Sequence, residues 1–209
     1  MPSPTFSAAD FEVFALRGFQ ERMGEIRRRI RPKLEVLGER LAPELKRSTG
    51  EPVFAHVARH ARRTVNPPED TWVAFAGDPR GYKKHPHFKL AVSRNGLRFL
   101  FEVGPEHADK KSWAAAWKRS APRLGPVLRG LPGIGWFKNE HDEEPAAGLG
   151  DLSLDEVARL GDELTRTRDG QLVLGRLVPA AEAMKWPETR VRSAALETFR
   201  ALAPLYRLR

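Results

Sequence analysis

The stretch HVARHARRTVNPPEDTW, residues 56–72, sets two histidines and three arginines ahead of an Asn-Pro-Pro turn. His56 and His60 are four apart, so on a helix both rings would reach one metal ion. A zinc protease needs a glutamate directly after the first histidine to act as general base, and that position is Val57. A third ligand would have to come from His85, His87 or Glu102. With no cysteine in the chain, thiolate sites are excluded as well. Arg59, Arg62 and Arg63 close by would repel a divalent cation and attract an anion. The pair is therefore expected to hold no metal, with at least one ring donating a hydrogen bond to a carbonyl or carboxylate.

The same stretch opens a larger basic cluster. Arg59, Arg62, Arg63, Arg80, Lys83, Lys84, Lys89 and Arg94 stand against Glu69, Asp70 and Asp78, with Trp72, Tyr82, His85 and His87 interleaved. Guanidinium forks suit phosphate or carboxylate, and aromatic faces stack on planar ligands. The anion-binding candidates are Arg59, Arg62, Arg63, Arg80, Lys83, Lys84 and His87. Trp72, Tyr82, His56 and His60 are the stacking or cleft candidates. The plainer alternative is that Arg62 or Arg63 caps a helix end and pairs with Asp70 while the aromatics border the core. No phosphate-cradling glycine loop, nucleophile elbow or dinucleotide fingerprint is present, so no catalytic residue and no cofactor is expected.

The elements that must carry these residues follow from periodicity. Ser7 with Asp10 three residues later is a helix-capping pair. Phe19, Met23, Ile26, Ile30, Leu34, Leu37, Leu41 and Leu45 form one apolar helical stripe, which Pro32 and Pro43 should kink or restart. Residues 52–63 read as a short helix started by Pro52 and ended by the prolines at 67 and 68. TWVAFA, 71–76, is a strand. Asn95-Gly96 marks a hairpin in HFKLAVSRNGLRFLFEV, 87–103. With Arg94 paired to Leu97, Val92 faces Phe99, Leu90 faces Phe101 and Phe88 faces Val103. The other face then sets Lys89 against Glu102. Residues 106–129 are helical, 134–138 and 171–178 are strands, Ser153 caps a helix with Glu156, and Pro187 opens a final helix. The expectation is one α+β domain over 1–209: about five mainly antiparallel strands with helices on one face.

Composition bounds the function. The net charge is +9, yet Lys138 to Asp169 holds four basic and ten acidic residues, a net of −6, leaving +15 elsewhere. That polarity fits nucleic acid, a phosphorylated small molecule, or a second copy of the chain met through the acidic 140–169 region. No apolar run approaches a membrane span of roughly 18 residues, and the N-terminus lacks a basic stretch followed by an apolar one. A cytoplasmic protein is expected. Five Asn plus Gln against 17 prolines is a profile that suits a heat-adapted organism.

HVARHARRTVNPPEDTWVAFAGDPRGYKKHPHF is similar to the hallmark stretch of the YktB-like bacterial proteins, a family of unknown function. The likeness extends from DFEVF through RPKLEVLGERLAPEL to the hairpin, and more loosely beyond. It covers His56, His60, Arg62, Arg63, Asn66, Pro67, Asp70, Trp72, Arg80, Gly81, Tyr82, Lys83, Pro86, His87 and Phe88. The resemblance implies a fold like that of the TATA-binding-protein class, a curved antiparallel sheet with helices across one face. It implies no activity. The leading expectation is a non-enzymatic binding protein for a polyanion through residues 56–94. The alternative is an enzyme or small-molecule receptor with a helix–sheet cleft lined by His56, His60 and His87.

Overall fold

A computed structural model describes residues 5–61 and 63–208. Helix α1, Ala8–Glu12, starts at the expected cap, where the Ser7 amide donates to Asp10 Oδ2 at 2.7 Å. The long stripe becomes α2, Phe19–Glu25, one π-helical turn at Ile26–Ile30, and α3, Arg31–Thr49. Proline explains the wide turn. Pro32 has no N–H for the carbonyl four residues back, and the Arg31 amide instead reaches the Ile26 carbonyl five residues back. The stripe itself is core from Met23 to Leu45.

Strand β1, Phe54–Val57, occupies the place where a helix was expected over 52–63. The prolines at 67 and 68 end a loop, not a helix. His56 and His60 therefore do not lie one helical turn apart: His56 is on the strand and His60 is in the loop beyond it. Next come β2, Asp70–Ala76, β3, His87–Ser93, and β4, Gly96–Val103. Then follow α4, Lys110–Arg129, β5, Gly135–Phe137, and the two-residue β6, Ala147–Gly148. The chain closes with α5, Leu154–Arg159, α6, Glu163–Arg166, β7, Leu172–Pro179, α7, Ala180–Ala183, and α8, Glu188–Tyr206.

The class is α+β as read from the sequence, but the sheet has seven strands where about five were expected. Their order is β1-β2-β3-β4-β7-β5-β6, every pair antiparallel. Strands β1 and β6 are the two additions, one an edge strand and one only a bridge long. The hairpin register is also corrected. Ser93 pairs with Gly96, Val92 with Leu97, Leu90 with Phe99 and Phe88 with Phe101. Arg94 and Asn95 fill the turn, and Gly96 pairs at φ 151°. A slip of two residues leaves each side chain on its predicted face, because sheet faces alternate with period two.

One face carries Phe75, Phe88, Leu90, Phe99 and Phe101, all fully buried, with Phe199 of α8 against Phe75, Phe88 and Phe99. Helix α3 crosses beside β1, where Gly38 leaves room: a Cβ there would lie 3.1 Å from that of Ala55. The opposite face is largely polar where segment 138–146 lies across it, and it also carries a small apolar cluster of Leu100, Phe137 and Val173.

Candidate functional site

Alternation along three strands brings Asp70, Trp72, His87, Lys89, Ser93, Arg98 and Glu102 to that polar face. Asp70, His87, Lys89, Arg98 and Glu102 are all 3% exposed or less. The guanidinium of Arg98 organises one half. Its Nη2 donates to Asp70 Oδ2 at 2.5 Å, and its Nη1 donates to the carbonyls of Glu140 at 3.0 Å and Asp142 at 2.7 Å. Asp70 also pairs with His141 Nδ1 at 3.1 Å. Asp70 is thus held by Arg98 and His141, and Arg63, expected as a possible partner, makes no ion pair with it. Lys89 organises the other half. Its ammonium lies 2.9 Å from Glu102 Oε2, pairs with the Glu140 carboxylate, and sits 4.9 Å from the centre of the Trp72 ring. The Lys89–Glu102 contact thus survives as a diagonal, while His87 takes the position opposite Glu102 with Nε2 at 3.2 Å.

The titration behaviour follows from this packing. Burial alone would neutralise Lys89, but Glu102, Glu140 and Asp70 overcome it and hold its pKa above the usual range. Burial opposes the charge on Glu102 too, and Lys89 with His87 reverses that, so its carboxyl titrates well below normal. Asp70 is lowered against burial by His141 and Arg98. The bond to Asp70 raises His141, whereas burial lowers His60 to about 4.

Above this network the candidate aromatics and histidines converge. Trp72 Nε1 donates to the Tyr82 hydroxyl at 2.9 Å, and burial pushes that hydroxyl up to about 12. The His60 ring meets the Trp72 edge at 5.2 Å between centroids, and the His141 ring lies 6.0 Å away. His56 packs against Tyr82 at 5.8 Å, and its Nε2 donates to the Asp78 carbonyl at 3.0 Å, the kind of structural bond expected of this pair. His60 Nε2 bonds Thr71 Oγ1 at 3.1 Å while its backbone holds φ 50°, a left-handed conformation that histidine adopts more readily than most residues. His87 is sealed beneath Tyr82 at 4.8 Å and does not reach the surface.

Two hollows result. The first, about 360 Å³, is bounded by Arg59, His60, Arg63, Trp72, Tyr82 and His141, with Lys83 and Glu140 also on its wall. The second, about 490 Å³, lies beside Asp70 and shares Arg63 and His141 with the first. Arg80 and Lys84 gather elsewhere, with Lys83 and Tyr82, around a neighbouring depression of about 510 Å³. Arg62 lies outside the described residues. Among the described residues, the side chains of Arg59 and Arg63 are exposed and make no hydrogen bond or ion pair. No cluster of three or more histidine, aspartate or glutamate side chains suited to a metal ion occurs among them either.

The comparisons with known proteins agree on kinship. The family model described as a domain of unknown function, DUF1054, matches residues 6–206. The chain belongs to the DUF1054 family. Relatives that the chain resembles over nearly its whole length carry the name UPF0637. The UPF0637 protein of Shouchella clausii is 36% identical over 212 residues, covering 100% of this chain and 96% of that one. Its counterpart in Bacillus licheniformis is 32% identical, covering 100% and 97%. That of Macrococcus caseolyticus is 33% identical, covering 96% and 97%. The DUF1054 name assigns no chemistry, so the residues must be read on their own.

Sequence reasoning paired Lys89 with Glu102 but missed Glu140 beside them, and it missed the Asp70–Arg98–His141 cluster. The alternation of polar residues in β3 and β4 was visible, but nothing local marks segment 138–146 as their cover. His141 stood in an acidic run that reads as a solvated loop.

Proposed function

We propose that this protein is a non-enzymatic binding protein for a phosphorylated metabolite, held in the hollow over Trp72 within the basic 56–94 surface. The observation that carries this reading is the pairing of two unpartnered guanidinium groups, Arg59 and Arg63, with the half-buried ring of Trp72 at one concavity. Guanidinium forks supply charge and geometry for phosphate, and the indole offers a flat apolar floor. The buried ion network beneath fixes the floor: Lys89 holds Trp72 from below, and Tyr82 holds its indole N–H. His87 belongs to that support and is left out of the binding surface.

The test is a thermal-shift and tryptophan-fluorescence screen of phosphorylated metabolites and short single-stranded nucleic acids, at low and high salt. A phosphorylated small molecule should raise the melting temperature, less so at high salt. The Arg59→Ala/Arg63→Ala variant, altered only at exposed positions, should lose the shift without losing its fold. Equal shifts in wild type and variant would dispose of the reading.

A second reading is favoured by one observation. His60 and His141 flank Trp72 with their titrations pushed apart, His60 down to about 4 and His141 up. Such offset pairs serve as base and acid in enzymes. Turnover of a bound phosphoester, abolished by His141→Gln with binding intact, would move the protein to this class.

A further inference from the structure

Two side chains, Arg63 and His141, stand between the hollow over Trp72 and the one beside Asp70, and both line each of them. The two spaces differ in chemistry. The first has aromatic and imidazole walls: Trp72, Tyr82 and His60. The second is polar, lined by Arg22, Asn66, Glu69 and Asp70 besides the shared pair. We propose that they are the two lobes of one site for an aromatic phosphate monoester of the mononucleotide type, with its ring over Trp72 and its phosphate against Arg63, His141 and Arg22. This rests on the reading of the Trp72 hollow as an anion-binding site, and it names the ligand class.

The donor geometry supports the assignment. His141 commits Nδ1 to Asp70, while its Nε2 makes no hydrogen bond among the described residues and lies 3.8 Å from Glu140 Oε1, and the bond to Asp70 favours the doubly protonated ring that an anion needs. Arg22 is only 9% exposed, with Nε on the Leu16 carbonyl at 2.7 Å and Nη1 on that of Pro68 at 2.9 Å. Its second terminal nitrogen makes no hydrogen bond among the described residues, and the two bonds to carbonyls fix the head group in place. Arg63 is exposed and uncommitted, so it can close on the phosphate from outside. The carboxylates lining the lobes are largely engaged: Asp70 with Arg98 and His141, Glu140 with Lys89. Glu69 is exposed and lies within electrostatic reach of Arg22. One polar lobe beside one aromatic lobe, rather than a repeating run of such lobes, suits a monoester better than a strand.

Calorimetry with inorganic phosphate, adenosine, the four 5′-mononucleotides and a decanucleotide tests it, on wild type, Arg63→Ala, His141→Gln and Trp72→Phe. At least one mononucleotide should bind about tenfold or more tightly than phosphate, the gain expected from stacking one base, and the adenine mononucleotide should bind more tightly than adenosine, which lacks the phosphate. Arg63→Ala and His141→Gln should weaken phosphate and mononucleotide but not nucleoside. Trp72→Phe should weaken mononucleotide and nucleoside but not phosphate. Arg63 is exposed, so its variant separates loss of binding from loss of fold. Mononucleotide no tighter than phosphate would overturn the two-lobed site while leaving an anion site. A decanucleotide far tighter than any mononucleotide would overturn the monoester in favour of a strand. No binding by any probe would overturn this proposal and the reading it rests on together.

Discussion

Lys89 has no contact with solvent, and what keeps its ammonium charged is Glu102 and Glu140. A buried ion is costly without its counter-ion, so Lys89→Met should lower unfolding free energy by about 3–5 kcal/mol. Lys89→Met/Glu102→Gln should lose less than the two single changes summed, because each removes the other's stranded charge. Chemical denaturation checks both. The histidines give opposite pH signatures. In the folded protein His60 takes its proton near 4, against the usual 6.5, so between those values the unfolded chain binds more protons. Its contribution is present above about 6.5 and lost as pH falls towards about 4. His141 is raised, so its pairing with Asp70 stabilises fully below 6.5 and fades as pH climbs through the raised value. Melting curves across pH should therefore flatten on the acid side in His60→Asn, a residue that accepts the left-handed backbone, and on the alkaline side in His141→Gln.

At the level of elements, the turn between β3 and β4 depends on Gly96. A Cβ there would fall 2.1 Å from the Val178 carbonyl, so Gly96→Ala should cost about 3 kcal/mol or more in unfolding free energy. Gly81→Ala, with nothing within 4 Å, is the control. Segment 138–146 depends on Arg98, whose fork holds two of its carbonyls through Nη1 and Asp70 through Nη2. Arg98→Lys keeps the charge and loses the fork, so the protein should stay folded while a Glu-specific protease cuts faster after Glu143. These elements also show what a sequence can reveal. Long periodic helices, capping pairs at Ser7 and Ser153, and the two faces of the hairpin were legible because their signals are local. Register was not. Asn-Gly suggests itself as the turn centre, yet the two-residue slip preserves both faces, so patterning could not expose the error. Strand β1 reads as helix because it is an edge strand of four residues after a proline, too short for alternation to outweigh helical spacing. The burial of the polar face was illegible for a different reason: its cover comes from far along the chain.

Across the whole molecule, part of the acidic region is already used internally. Glu140 reaches Lys89 and Glu143 accepts from Ser93 at 2.8 Å, so the negative stretch partly neutralises the sheet of its own chain. Among the described residues no helix is long and apolar enough to cross a membrane. The placement of β7 between β4 and β5 carries a consequence of timing. Strands β1 to β4 pair with sequence neighbours and can form early. Their partner β7 and the covering helix α8 lie beyond residue 171 and emerge from the ribosome after them. Until then Phe75, Phe88 and Phe99 have no Phe199 to cover them, and β4 offers an unpaired edge. Closing so long a loop is slow. A nascent chain halted before residue 172 is thus the form of this protein most exposed to sticking to its neighbours, and the one that a chaperone would meet.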